Sequence, residues 1–483
     1  MTKISRRDFT KAGLAASAVL GALPTFLSAQ EPARYMKVGT ACVEITPEFF
    51  PVLVNGGFTP RYVEKVHDPL LVRVLVVDDG TTTLVFATAD VCTIPDTIVQ
   101  AVKARVAEKT PLKPHQIAIS STHCHSAPSL MRLLGVPADE RYVPFFEAKV
   151  VEAILAAYAN RQDARIGWGS DFDANNVFCR RFLMRPGAAW TQNRDFTGST
   201  GDYAQMNPGN KIGEAICRTG VPNPAVYLLA FQTPEGKPLA CLANYSTHYA
   251  GAPDLSADYF GVFCREMETR LGNGQPFFAM MTNGTSGDTN CIDFYNPTRK
   301  FDMFTVGKSV AEAALRAYSK ITFADWVPLH VEYCEPELGI RKGTPEQVAA
   351  AKTHLAKLEN PEKPVTIEDV YAFQTVYLES WPNTRKVPLQ VFRLGEVGIT
   401  LLPTETYSAT GHAIRRNSPA TMTFTISMAN GYLGYLPTEA DFALGGYTTW
   451  RASSSCLEVT AEEKIQKTLL EMLKKVFSQS ISQ

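Results

Sequence analysis

Residues 119–128 read ISSTHCHSAP and place two histidines directly behind a short apolar run. The run 116–120 contains two isoleucines and predicts a β-strand. Because alternate side chains of an extended chain point to the same side, we expect His123 and His125 to face one site. Strand ends are also where α/β proteins gather their chemistry. The segment therefore predicts a polar site at a strand end, and a metal site is one interpretation of the paired imidazoles.

Two further strand ends carry side chains suited to the same chemistry. His248 follows the apolar run Leu239–Tyr245 and has small neighbours, and Glu405 follows the run Val397–Leu402. Taken alone, Glu405 is better explained as an acid that stabilises the dipole of a following helix. Together, two or three histidines and one glutamate fit a catalytic zinc site, which needs about three protein ligands and an open position. Spacing along the chain does not establish that these residues meet, so ordinary structural roles stay open.

The β-rich part of the chain is built from a recurring pair of apolar runs around a tight turn. The β-branched content and the Asp, Gly and Pro residues of the turns predict β-hairpins. In each case the second run leads into a polar loop. The three pairs are Leu71–Val77 with Thr83–Ala89, Val226–Phe231 with Leu239–Tyr245, and Leu389–Leu394 with Val397–Leu402.

Helices alternate with these hairpins. Apolar spacing predicts amphipathic helices over Ile98–Lys109 and Tyr142–Asn160. Thr344 and Gln347 indicate a capped helix start, and Thr460–Glu463 predicts a capping box before a closing helix. The mixture predicts an α/β fold in which mixed β-sheets built from hairpins are covered by helices.

The N-terminus has the pattern of an export signal. Residues 5–11 read SRRDFTK, a twin-arginine signature, and the apolar stretch Ala12–Leu23 that follows is too short for a stable membrane span. We therefore predict a signal peptide over residues 1–29, a single domain over 30–483, and a periplasmic or extracellular location. The alternative is a cytoplasmic protein with a basic amphipathic N-terminus.

Composition narrows the range of partners. The net charge of the whole chain is −1, and the predicted signal removes four basic residues and one acidic residue, which leaves −4. Without a basic stripe, a nucleic-acid partner is not expected. No long apolar run follows the signal, so we expect no stable membrane insertion of the mature chain. The ten cysteines are scattered without a CxxC pair, and we expect most of them to be free thiols.

Five segments resemble motifs of the neutral/alkaline non-lysosomal ceramidase family, in the order in which that family has them. The segment 119–128 is similar to its THTHSGP-type motif. The others are similar to its first strand (GxAxxDITP), its second-histidine segment, its LPGE segment and its YxxYxxTxEEY stretch. In the same order, these four segments are residues 38–47, 244–248, 402–405 and 430–439, and the last is followed by Tyr447.

The resemblance implies a neutral-ceramidase-like catalytic domain and a role for each matching residue. It implies that Zn²⁺ is the cofactor and that Tyr447 donates a hydrogen bond to the developing oxyanion. His125 would handle a proton beside the attacking water, and Arg180 falls where the family has an arginine near the pocket. The implied zinc ligands are His123, His248, Glu405 and Tyr435.

The chain departs from the family pattern at two places. Asn290 stands where the ceramidases have a serine of catalytic importance, and an amide is not an activated nucleophile. A zinc-water mechanism survives this change, and Asn290 can still hydrogen-bond to a substrate. The ceramidases continue into an immunoglobulin-like domain, whereas this chain ends 36 residues after Tyr447, so we expect no such domain here.

The sequence thus predicts an exported zinc-dependent hydrolase that cleaves an amide or an ester bond. We expect its substrate to be a small molecule, which is an N-acyl compound, an ester or a glycan-like compound. One alternative is a homologue that retains the metal and binds without catalysis, which Asn290 motivates. Another is a hydrolase acting on carbohydrate or another small polar molecule.

Overall fold

The structure is a computed structural model that describes residues 34–479. The predicted signal peptide lies outside these residues and stays a prediction, as does the division at residue 29. Residues 35–479 form one compact unit.

The strands of the described chain include the three predicted hairpins. In the first half they are β1 (Met36–Glu44), β2 (Val52–Val54), β3 (Arg61–Val63), β4 (Leu71–Asp78), β5 (Thr83–Ala89), β6 (Ile117–Ser121), β7 (Gln162–Phe172), β8 (Phe178–Cys179), β9 (Arg181–Met184), β10 (Ala204–Met206), β11 (Ala215–Arg218) and β12 (Ala225–Gln232). In the second half they are β13 (Pro238–Tyr245), β14 (Phe278–Asn283), β15 (Thr289–Asn290), β16 (Leu329–Cys334), β17 (Glu337–Gly339), β18 (Thr384–Lys386), β19 (Leu389–Leu394), β20 (Val397–Leu401), β21 (Glu405–Thr406), β22 (Met422–Ile426) and β23 (Tyr435–Leu436).

The helices include both predicted amphipathic segments. They are α1 (Asp96–Ala107), α2 (Val143–Ala159), α3 (Arg194–Thr197), α4 (Asp258–Gly272), α5 (Met303–Tyr318), α6 (Pro345–Leu355), α7 (Ile367–Glu379), α8 (Ser408–Asn417), α9 (Glu439–Leu444) and α10 (Ala461–Ser478).

Two helix starts test the capping predictions. At α6, the Thr344 hydroxyl accepts from the Gln347 amide at 3.3 Å and the Gln347 side chain accepts from the Thr344 amide at 3.1 Å, which confirms the capping box. The capping box predicted at Thr460 is wrong. The Thr460 side chain makes no cap hydrogen bond, because its backbone (φ −87°, ψ 6°) is not in the extended conformation that capping requires.

Two mixed sheets form the centre of the molecule, as the sequence predicted. The larger has the order β14-β13-β12-β7-β1-β4-β5-β6, and the smaller has the order β16-β19-β20-β22. Neighbours are mostly antiparallel, and the parallel pairs are β5 with β6, β13 with β14, and β20 with β22. The two sheets pack face to face through a core that includes Phe86, Leu229, Phe392 and Ile399.

Helices cover the outer faces of both sheets. On the large sheet, α1 and α2 cover the half containing β1, β4 and β5, while α4 and α5 cover the half containing β12–β14. On the small sheet, α10 packs its apolar face, which includes Leu469 and Leu473, against β16 and β19. Because both faces of the large sheet are covered, its strands are nearly continuous apolar runs. The result is an α/β/β/α arrangement.

Candidate metal centre

Three pairs of parallel strands end at the same place in the molecule. His123 follows β6, His248 follows β13, and Glu405 follows β20. Each of these strands lies beside a parallel neighbour. The carboxyl ends of the strands are the usual position of sites in α/β proteins, and here both sheets contribute to one site.

Hydrogen bonds between the loops lock these strand ends together. The Asn283 side chain at the end of β14 donates to the carbonyl of Thr122 at 3.1 Å. The amide of Ser427, just after β22, donates to the carbonyl of Asn283 at 3.0 Å. The next amide, that of Met428, donates to the carbonyl of Thr404 at 3.2 Å. The loops that carry His123 and Glu405 are thus tied to each other through one network.

The backbone at His123 is left-handed, with φ of 67°. The segment is therefore not extended, and the prediction that strand alternation aligns His123 with His125 is wrong in its mechanism. A positive φ is uncommon for a residue with a side chain. The turn nevertheless brings the two rings together, with centroids 4.8 Å apart and Nε2 atoms 3.2 Å apart.

Three of the four predicted ligands converge. Ligand atoms of His123, His248 and Glu405 all lie within 4.8 Å of one another. His123 Nε2 is 3.3 Å and His248 Nε2 is 3.9 Å from Oε2 of Glu405. All three side chains are buried. Two imidazoles and a carboxylate at this separation form a candidate metal centre.

The orientation of the two imidazoles leaves one nitrogen of each for a ligand. The Nδ1 atom of His123 is 2.8 Å from the carbonyl of Cys92, and that of His248 is 3.3 Å from the carbonyl of Ser286. A proton on each Nδ1 directs the Nε2 lone pair into the site. Within residues 34–479, His248 Nε2 and Glu405 Oε2 are buried and lack a hydrogen-bond partner. Such orphaned atoms are costly, and a cation between them would satisfy both.

The fourth predicted ligand, Tyr435, lies beside Glu405. The two residues are paired partners in the parallel strands β21 and β23. The other carboxylate oxygen of Glu405 accepts a 2.6 Å hydrogen bond from Tyr432. Burial, followed by the charge of Glu405, raises the pKa of Tyr435 well above its ordinary value. A bound cation would reverse that preference and allow the phenolate form.

Arg180 lines the cavity beside the candidate ligands. Its guanidinium is buried and donates to the carbonyl of Gly287 at 2.9 Å and to the hydroxyl of Tyr435 at 3.3 Å. The same nitrogen is 3.5 Å from Nδ1 of His248. Arg180 therefore places a permanent positive charge next to two of the candidate ligands.

The structure places Tyr447 in the cavity and Asn290 behind it. Tyr447 lines the cavity, and its ring centroid is 5.9 Å from that of Tyr435. Asn290 is engaged within the surrounding loops: its amide donates to Asn207 at 3.1 Å and its oxygen accepts from the backbone of Ile292 at 3.0 Å. Asn207 is a lining residue of the cavity, whereas Asn290 is not. The predicted substrate contact of Asn290 thus stays a prediction, with Asn207 between it and the cavity.

His125 is held next to the candidate ligands by its neighbours. Its ring stacks on Tyr249 at a centroid distance of 3.8 Å. Gly56 presses against the same ring: a Cβ at position 56 would lie 2.3 Å from Cγ of His125. Burial, then the charges of His123 and Arg180, lower the pKa of His125 well below its ordinary value. A neutral imidazole at this position can accept a proton.

A cavity of about 270 Å³ opens onto these groups and adjoins a second one of about 330 Å³. Most of the residues that line the first were not singled out by the sequence, among them Gly56, Cys92, Tyr249 and Tyr432. Tyr249 follows His248 directly and Tyr432 stands within the segment 430–439, so proximity to a motif was the available signal. Nothing in the sequence marks Cys92, whose carbonyl is 2.8 Å and whose thiol is 3.7 Å from Nδ1 of His123.

Two solved structures resemble this protein in fold. One is the neutral ceramidase of Pseudomonas aeruginosa, at a TM-score of 0.68 and 16% identity over 92% of this chain and 74% of that chain. The chain has the fold of the neutral ceramidases. A ceramidase complexed with C2 matches at a TM-score of 0.67 and 16% identity, over 93% of this chain and 77% of that chain. No family model matches the sequence, and no curated protein matches it.

The ceramidase-like fold agrees with the α/β architecture predicted from the sequence. In the part of the chain that the structure describes, none of the helices combines the length and apolarity that a membrane crossing requires. All ten cysteines are free thiols, as expected for most of them.

Proposed function

We propose that this protein is an exported zinc-dependent hydrolase that cleaves the amide bond of an N-acyl compound with water. The observation that carries the proposal is the convergence of His123, His248 and Glu405, with two ligand atoms buried and unsatisfied. Two imidazoles and a carboxylate are the ligand set of several catalytic zinc sites. Tyr435, paired with Glu405, would complete the set.

The residues around these ligands fit a hydrolytic reaction. A zinc ion at this position would supply a water of pKa near 7 and polarise the carbonyl group of the substrate. His125, beside His123, would accept a proton from the attacking water and return it to the leaving amine. The Tyr447 hydroxyl and the guanidinium of Arg180 face the cavity and stabilise negative charge on the carbonyl oxygen.

The solved structures support the choice of an amide substrate, since both are ceramidases. They favour a small lipid-like substrate with an apolar acyl group over a carbohydrate. An ester of similar shape would present the same carbonyl to the same groups. Export follows from the twin-arginine signature at residues 5–11 and is part of the proposal.

Replacing His248 tests the proposal. We expect His248→Ala to lower the zinc content from about one ion per chain to near zero, since a metal ligand is lost. The variant should also lower kcat/KM on N-acyl substrates at least about 100-fold. Zinc is measured by elemental analysis of the purified protein, and turnover by the released amine.

A matched control is His330→Ala, which removes a histidine in β16 at a distance from the site. This variant should retain zinc and activity. Full zinc content together with full activity in His248→Ala would overturn the proposed function.

A further inference from the structure

The two adjoining cavities differ in the side chains that line them. The candidate metal centre opens into the first, whose far wall is formed by Phe58, Leu133 and Leu134. The second has a mixed lining, in which the polar residues Thr59, Arg61 and Ser126 do not belong to the first cavity. Five residues border both cavities: Gly56, Gly57, Phe58, His125 and Tyr249. A substrate whose carbonyl lies beside His125 therefore meets an apolar wall on one side and a polar one on the other.

Arg61 is the charged residue of the polar cavity. Its guanidinium donates to the carbonyl of His125 at 2.9 Å and to the carbonyl of Pro253 at 3.4 Å. Among residues 34–479, no carboxylate lies within 4.0 Å of its nitrogens. An arginine has five N–H donors, and neutral carbonyls leave its charge uncompensated. Arg61 is exposed at the cavity, and its donors can reach a bound anion.

Positive side chains also outnumber negative ones in the lining of the two cavities as a whole. Glu405 is the single carboxylate among the described residues that line the two cavities, and it belongs to the candidate metal centre. The two arginines flank the site: the guanidinium of Arg180 is 3.5 Å from Nδ1 of His248, and that of Arg61 donates to the carbonyl of His125 at 2.9 Å. Both arginines therefore act on the reaction centre, and their field attracts an anion.

We propose that the amine half of the substrate carries a carboxylate that binds Arg61 in the polar cavity, while the acyl chain lies against Phe58, Leu133 and Leu134. The substrate class is then the N-acyl amino acids. Water adds its hydroxyl to the acyl carbon, the C–N bond breaks, and the nitrogen gains the proton, which gives a fatty acid and an amino acid. This inference rests on the proposed amidase function.

The test compares two amides of similar size. N-octanoylglycine carries the carboxylate, and N-octanoylethanolamine carries a neutral hydroxyl. We expect the zinc-loaded wild type to prefer N-octanoylglycine by about tenfold in kcat/KM, which is the contribution of one charge-assisted contact. Arg61→Gln should remove most of that preference, chiefly through KM, while the control Arg165→Gln, remote in β7, should retain it.

Ionic strength gives a second readout. An exposed charge is screened by salt, so the wild-type preference should fall as salt rises to about 1 M, and that of Arg61→Gln should not change. A structural role of Arg61 would lower kcat/KM for both amides equally and leave the preference intact.

The outcomes separate this inference from the proposed function. Cleavage of neither amide would overturn the proposed function itself. Equal cleavage of both by the wild type, or an unchanged preference in Arg61→Gln, would overturn the assignment of Arg61 while the amidase function stands.

Discussion

At the scale of single residues, the site depends on two unusual backbone positions. His123 adopts a left-handed conformation that carries its ring back toward His125, and Gly56, at φ of 108°, packs directly on the ring of His125. Neither conformation is favourable for an ordinary residue. Both are positions where the surrounding fold imposes the geometry that the proposed chemistry needs.

Gly56→Ala should impair turnover without removing the metal. The new Cβ would lie 2.3 Å from the His125 ring, and φ of 108° is itself strained for alanine. We expect kcat/KM to fall at least about tenfold as His125 is displaced, while the zinc content stays at the wild-type level because His125 is not a proposed ligand.

The neighbouring Gly57→Ala is a matched control, since its Cβ would meet only the Thr59 carbonyl at 3.5 Å, an ordinary contact. It should keep nearly full activity. Loss of zinc in Gly56→Ala would show that His125 is a ligand rather than a proton carrier.

The sequence predicted the candidate ligands better than their supports. His123, His248 and Glu405 are conspicuous because polar side chains directly follow apolar strands. The partners that orient them are not: the carbonyl of Cys92 and the hydroxyl of Tyr432 act through long-range contacts. Any residue can supply a carbonyl, so no residue type marks such a support.

At the scale of secondary structure elements, local patterns were sufficient for the hairpins and most helices. The predicted run Leu389–Leu394 matches β19 at both ends, and the predicted helix Tyr142–Asn160 differs from α2 by one residue at each end. The failure at Thr460 has a physical reason, because a capping residue needs an extended backbone and the preceding chain sets that conformation. The order of strands within each sheet depends on long-range packing that local patterns do not encode.

Helix α1 carries a buried lysine whose titration should be visible in the stability of the protein. Lys103 lines a cavity of about 750 Å³, and its ammonium donates to the Asn430 side chain at 2.8 Å. Burial lowers the pKa of Lys103 from 10.5 to about 7, although the charge of Glu335 opposes the shift. Between these two pH values the unfolded chain binds more protons at this site than the folded chain, so stability rises with pH across that window.

Lys103→Met should remove this dependence. We expect the free energy of unfolding of the wild type, relative to the variant, to increase by on the order of 2–3 kcal/mol from pH 7 to pH 9.5. Denaturant titration at several pH values measures it. Lys149→Met, which removes a lysine near the surface of α2, is the control: its free energy of unfolding relative to the wild type should not change with pH. If the same quantity is also independent of pH for Lys103→Met, Lys103 keeps an ordinary pKa in the fold.

At the scale of the whole molecule, zinc should stabilise the fold. Because its proposed ligands come from both sheets, an unfolded chain cannot bind the ion as the native chain does, and binding shifts the unfolding equilibrium. Zinc at about 100 times its Kd should raise Tm by about 3–5 °C. Differential scanning fluorimetry of chelator-treated protein, with and without added zinc, measures the shift. His248→Ala should show no such response, and an equal response in that variant would place the stabilising ion elsewhere.

The residues of the candidate site and the fold class could be predicted from the sequence. The way in which the two sheets pack against each other could not. The facing core residues Phe86 and Phe392 lie far apart along the chain, and their contact fixes how the strand ends align. No local pattern specifies that alignment.

The network that ties Asn283 to the loops after β6 and β22 has a consequence for the order of folding. A nascent or partly assembled chain, with one sheet formed and the other still undocked, presents only a fragment of the coordination set. We therefore expect the proposed ion to bind with high affinity only after the two sheets have docked. Metal occupancy would then report on maturation of the chain as well as on competence for turnover.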